Sequence, residues 1–204
     1  MIALVMLLVI TLIAVGTMRS ITLEMRLTGY RAENARLQYM VDAALREGEF
    51  RFYGPGHLDS KLNPNPDENC DPDINKLNVF GNNKPCLLEE MSNADFEDFY
   101  NKPVEAANAL DLEWMEYRGL DARNRFEPAS IGTGNDKKQL EKPASFNAYR
   151  IMEGAAENAA VNPEYGAALR GSGTYYYVIT AKAGDEGEEI AAQSTIATIY
   201  LGLD

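Results

Sequence analysis

Residues 1–27, MIALVMLLVITLIAVGTMRSITLEMRL, decide how the rest of the chain is to be read. From Met1 to Met18 no residue is charged, and only Thr11, Gly16 and Thr17 depart from strongly apolar character. As a helix this run spans about 27 Å at ~1.5 Å per residue, close to the hydrocarbon thickness of a bilayer. A cleavable secretory signal would open with basic residues, run shorter and end in a small-x-small site. No basic residue precedes Arg19, and Ala14-Val15-Gly16 is a poor cleavage site. Nor can a chain of 204 residues bury a helix that is apolar on every face.

After Arg19 the pattern becomes periodic. Leu23, Leu27, Tyr30, Leu37, Val41, Ala44 and Phe52 fall close to a 3-and-4 repeat, and Glu24, Arg26, Arg31, Glu33, Arg36, Asp42, Arg46, Glu47 and Glu49 occupy much of the rest. The first strong stop is Gly54-Pro55-Gly56. The two runs therefore predict one helix of roughly 50 residues, about 75 Å long, with Gly16 and Gly29 as its soft points. Residues 1–18, with Leu4, Leu8, Leu12 and Val15 among them, belong in lipid or among other apolar helices. Over residues 19–53 the stripe of Leu23, Leu27, Tyr30, Leu37 and Val41 is expected to pack on a folded head made of residues 54–204.

The head opens with YGPGHLDSKLNPNPDENCDPDINKLNVFGNNKPCLL, residues 53–88, which is rich in turn formers and reads as an irregular loop over 54–90. Cys70 and Cys86 lie inside it, where few apolar residues can hold a shape. A bond between them would restrict the unfolded chain by roughly 3 kcal/mol, and a disulfide is favoured over two unrelated thiols. Such bonds persist outside the cytosol, the compartment that the apolar start also implies. Ser92-Asn93-Ala94-Asp95 reads as a helix start, with the helix ending before Pro103. Then the period changes. Residues 112–118, 145–152, 173–183 and 190–203 carry the aromatic and β-branched content of strands, and the last two flank a polar connection at Gly184–Glu189 suited to a hairpin. Leu201 and Leu203 are expected to be buried. The fold class predicted is α+β: a long N-terminal helix on a small antiparallel sheet of about four strands.

These features resemble a known family. A long helix, half membrane-embedded and half laid on a small sheet, with a cysteine pair in an extracytoplasmic loop, looks like a type IV pilin. The run LVMLLVITLIAVGTMRSITLEMRLTGY, then AALREGE and FYGP, with GTYYYV and QSTIATIYLGL near the end, resembles the PilX-type minor pilins. The resemblance implies synthesis with a short basic leader, removal of that leader and N-methylation by a prepilin peptidase, and insertion into a fibre. No such leader precedes Met1, which is read as an internal start or a leader already removed. Pilins of this kind usually carry a glutamate early in the mature helix. Here the first acidic residue is Glu24, a pattern that resembles tip-positioned minor subunits and the K-type pseudopilin of type II secretion. The implied partners are other minor pilins, the major pilin, a tip adhesin, inner-membrane lipid and the assembly machinery. The implied location is the inner membrane with the head in the periplasm, then the extracellular pilus tip, in support of twitching motility and adhesion.

Other chemistry is weighed and set aside. The net charge of −12 with no basic cluster excludes a nucleic-acid partner. Asp67, Asn69, Asp71 and Asp73 resemble the beginning of a calcium loop, but Pro72 stands where that loop needs glycine and Asn78 where it needs a bidentate glutamate. The acidic turn at 185–189 reads as a charged guard on strand ends. His57, the single histidine, lies just past the helix stop, so no triad or multi-ligand metal site can be assembled around it. Gly132-Thr133-Gly134 lacks the context of a dinucleotide loop. Trp114 and Tyr175–Tyr177 read as sheet core and surface. No catalytic residue, cofactor or resident metal is expected, and the chain is read as no enzyme; the readings kept beside the minor pilin are a pseudopilin of type II secretion and a single-pass anchored ligand-binding or enzymatic domain.

Overall fold

A computed structural model describes residues 2–54, 56–75, 77, 83–117, 130–131, 138–139, 142–152 and 173–200. Helix α1 runs unbroken from Ile2 to Arg51, 50 residues. The chain divides into two units, residues 1–39 and residues 40–204, so the last turns of α1 belong with the head.

In the first unit the helix stands without internal partners along most of its length. Thr11 and Thr17 donate their hydroxyls to the carbonyls of Leu8 and Ala14, each at 2.9 Å. Thr22 and Thr28 do the same to Met18 and Glu24 at 2.8 Å. The hydroxyls of Thr11 and Thr17 are thus satisfied by their own helix, which lowers the cost of placing them in apolar surroundings.

The second unit is layered. Strands β1 (Met115–Glu116), β4 (Ala144–Met152), β5 (Gly173–Ala183) and β6 (Ile190–Tyr200) form one antiparallel sheet in the order β1-β4-β5-β6. Strands β2 (Ser130–Ile131) and β3 (Lys138–Gln139) pair separately. Strand residues alternate between faces, and both faces are covered. On one face Phe52 packs with Leu87, Ala148, Tyr175, Tyr177 and Ile179. On the other, Tyr149 joins Leu88 and the helical residues Phe99, Ala106 and Ala107.

The helices of that second layer follow from their caps. The Ser92 side chain accepts a bond from the Asp95 amide at 3.2 Å and donates to the Asp95 carboxylate at 2.6 Å, which starts α4 (Asn93–Asn101). Pro103 then opens α5 (Pro103–Ala109) at the helix position where proline's missing N–H costs nothing. The sequence reading ended one helix before Pro103 and did not expect the second.

Two further differences have plain causes. Within 54–90, read as irregular, two short helices occur, α2 (Leu58–Leu62) and α3 (Pro66–Asn69). Within the expected strand at 112–118, β1 takes Met115–Glu116, and the Tyr117 amide donates to the Ala144 carbonyl at 2.8 Å; residue 118 lies outside the described residues. Leu112 and Trp114 instead pack beneath α4 and α5, and the Leu112 amide donates to the Ala107 carbonyl at 2.9 Å, closing the end of α5. Packing against the helices overrides the alternation there. The expectations for Leu201, Leu203 and Gly132–Gly134 fall outside the described residues.

Candidate functional site

The most unusual surface is α1 itself. Val5, Met6, Leu7, Leu8, Val9 and Ile10 are consecutive and all exposed, so no side of the helix is covered there. Leu8 is 60% and Leu12 66% exposed; the side chains of Leu4 and Val15 lie outside the described residues. The helix is long and apolar enough to cross a membrane.

The expected packing stripe needs correction. Leu23, Leu27 and Tyr30 are 67%, 51% and 67% exposed, whereas burial begins at Leu37 (6%) and holds at Val41 (2%). Periodicity identifies an apolar stripe, but it does not say whether the partner that covers it belongs to the same chain.

From Met40 onward the buried face of the helix is Met40, Val41, Ala44, Glu47, Gly48, Arg51 and Phe52. Glu47, which the sequence reading set among the charged residues between the apolar positions, is buried. Its Oε1 accepts from Arg51 Nε at 3.1 Å and Nη2 at 2.7 Å. The other arm of Arg51 donates from Nη1 to the Asn75 side chain (3.1 Å) and to the carbonyls of Asn75 and Lys84 (3.3 Å each). The guanidinium also lies 5.6 Å from the Phe146 ring centroid. Burial raises the Glu47 carboxyl and lowers the Arg51 guanidinium from their ordinary values, with the partner's charge opposing both effects. One forked cation thus ties the end of α1 to both arms of the loop between the cysteines. The i, i+4 spacing of Glu47 and Arg51 was visible in the sequence, but the spacing alone suits a solvated pair equally well.

Cys70 and Cys86 are joined, with a sequence separation of 16 and Cα atoms 4.5 Å apart. The far end of that loop is pinned to the sheet. The Ala148 amide donates to the Cys86 carbonyl and the Leu88 amide to the Ala148 carbonyl, both at 2.8 Å. The loop is further anchored by Asn75, whose side-chain amide donates to the Asn69 and Lys84 carbonyls at 2.7 and 3.0 Å.

The sequence-level calcium candidates are not gathered by this arrangement. Asp67 and Asp73 are exposed, Asp71 is half-buried, and Asn69 is buried in the core side of α3. The Asp71 carboxylate accepts from the Asp73 amide at 2.8 Å, an ordinary turn contact. Among the described residues no three His, Cys, Asp or Glu side chains converge as a metal-binding group. His57 takes the left-handed conformation, φ 53°, ahead of α2.

Residues 1–46 match the family model described as PilX N-terminal. The match fits a PilX-type minor pilin and supports a minor-pilin role in a type IV pilus. It ends inside α1 and covers the exposed apolar residues of that helix from Ile2 to Tyr39. No curated protein and no solved structure matches the chain. The PilX N-terminal match implies interaction with other pilus components, and an apolar helix of this kind is compatible both with a membrane anchor and with a pilin.

Proposed function

We propose that this chain is a minor pilin that helps prime type IV pilus assembly and takes its place in the tip complex, beside other minor pilins and a tip adhesin, in support of twitching motility and adhesion. It acts by assembly and carries out no catalysis. The observation that carries this reading is α1: apolar and uncovered on all sides over Val5–Ile10, within the stretch that matches the PilX N-terminal model. Such a segment is stable among lipid tails and equally stable among like helices, because lipid is as apolar as leucine and the helix satisfies its own backbone groups. Passage from membrane to fibre then exchanges one set of dispersion contacts for another, with no charge to desolvate in residues 2–18. The head rides outside the membrane, where its disulfide is maintained.

The test is incorporation. An epitope-tagged chain expressed in its own piliated host is expected in the sheared pilus fraction at far lower abundance than the major subunit, and its deletion is expected to reduce piliation. Retention in the membrane fraction alone, with normal piliation in the deletion strain, contradicts the reading.

A further inference from the structure

The two edges of the four-stranded sheet are built differently. At one edge β1 is 2 residues long, and further along β4 the same side is met by Leu87, which bridges to Ala148. At the other edge β6 is 11 residues long and pairs with β5 from Gly173↔Tyr200 to Ala183↔Ile190 without a shift in register. Among the described residues no strand lies beyond it. Along an antiparallel edge strand, every second residue directs its N–H and C=O away from the sheet. Long flat edges are ordinarily guarded by lysine, proline or a bulge. The sequence of β6, IAAQSTIATIY, contains no charge, no proline and no glycine.

We propose that the outer edge of β6 is a docking site for an extended segment of a second pilus subunit, which adds to the sheet as a fifth strand. The proposal rests on the reading of the chain as an assembling subunit. The edge itself specifies the occupant's chemistry. Its outward backbone groups are satisfied in full only by another extended backbone, since a helix or lipid surface has no matching row of donors and acceptors. The exposed side chains Ala191, Thr195 and Ala197 are small enough for a strand to approach to about 4.8 Å. Charge sets the direction of fit. The β5–β6 turn at the Ile190 end holds Asp185, Glu186, Glu188 and Glu189. Lys142 reaches Asp185 at 2.9 Å and Glu188 at 3.9 Å, Lys182 reaches Glu189 at 3.5 Å, and Glu186 adds an exposed carboxylate. The incoming segment is therefore uncharged through its middle and carries a basic residue where it passes the turn.

Amide hydrogen exchange on the full-length chain in detergent, alone and co-purified with the other pilin subunits of its host, tests this. Alone, alternate amides of β6 are expected to exchange fast; in the complex they are expected to slow by about tenfold. Slow exchange at all β6 amides in the isolated chain means that the chain covers its own edge, and overturns the proposal. Protection that appears on residues 2–36 of α1 but not on β6 overturns strand addition while leaving the assembly reading intact. Protection of neither removes both. The double variant T195K/A197K is expected to keep the melting temperature and lower the yield of co-purified subunits by about tenfold, and E186K by less; an unchanged yield in the double variant overturns the proposal.

Discussion

Gly48 sits where α1 presses against the sheet. A methyl group placed there would lie 2.7 Å from the Ile179 side chain and 3.1 Å from the Phe146 ring, and both neighbours are fully buried and cannot swing away. Alanine would strengthen the isolated helix by about 1 kcal/mol. Overpacking costs about 1–3 kcal/mol, so the clash is the larger effect. Gly48→Ala is expected to lower stability in denaturant titrations, whereas Gly29→Ala, with open space around it, is expected to raise helix stability slightly. A gain at both positions would mean that the helix does not seat on Ile179. Lys61 offers a second measurement. Its ammonium donates to the Gly54 carbonyl at 2.6 Å, its own carbonyl accepts from the Tyr177 hydroxyl at 2.7 Å, and burial pushes its pKa down from 10.5 to about 8. Between those two values the unfolded chain holds a proton that the folded chain has released, so stability contributed by this group rises with pH across the window. Relative to Lys61→Met, the wild type is expected to gain stability between pH 7.5 and pH 10. A difference between the two proteins that does not change with pH would contradict this account of the buried amine.

At the scale of elements, the disulfide and Arg51 act on the same loop from opposite ends. Cys70 terminates α3, Cys86 is bonded through its carbonyl to β4, and Arg51 grips the Asn75 and Lys84 carbonyls between them. Cys86→Ser is expected to cost roughly 3 kcal/mol, visible as a lower melting temperature that reductant no longer shifts. Equal melting of the wild type with and without reductant would remove the disulfide's role. Arg51→Met strands the Glu47 carboxyl in the core and is expected to cost about 3–5 kcal/mol, more than Arg51→Lys, which keeps the charge but loses the fork. The element pattern explains what could be read in the sequence. The β5–β6 hairpin and α1 were legible because aromatic and β-branched runs around a polar turn, and an uncharged run, are properties of the segments themselves. Helix α5 and the truncated β1 were not, because Pro103 reads equally as a stop or a start, and because Leu112 and Trp114 alternate like a strand while packing under helices. The burial of Glu47 was hidden for the same reason: its partner Arg51 is itself held by Asn75 and Lys84, distant in sequence.

At the scale of the whole molecule, the uncovered apolar part of α1 and the folded head can be separated experimentally. The head carries its own core, with both faces of the sheet covered within residues 40–204. Among the described side chains of α1 none before Leu37 is buried, so a substitution near its start should leave the head's folding untouched. Leu8 is the sharpest place to intervene, being exposed, mid-run and flanked by Leu7 and Val9. An aspartate there costs about 2.5–3.5 kcal/mol at the centre of a membrane on insertion scales. Among packed apolar helices, an unpaired carboxylate meets a comparable desolvation penalty. Leu8→Asp is therefore expected to remove the chain from the sheared pilus fraction. The 70–86 disulfide and the head's melting temperature should stay at their wild-type values. Normal incorporation of that variant would mean that the apolar surface of α1 is not what the assembly recognises. A lowered melting temperature would mean that the head depends on residues of α1 well before the point at which burial begins.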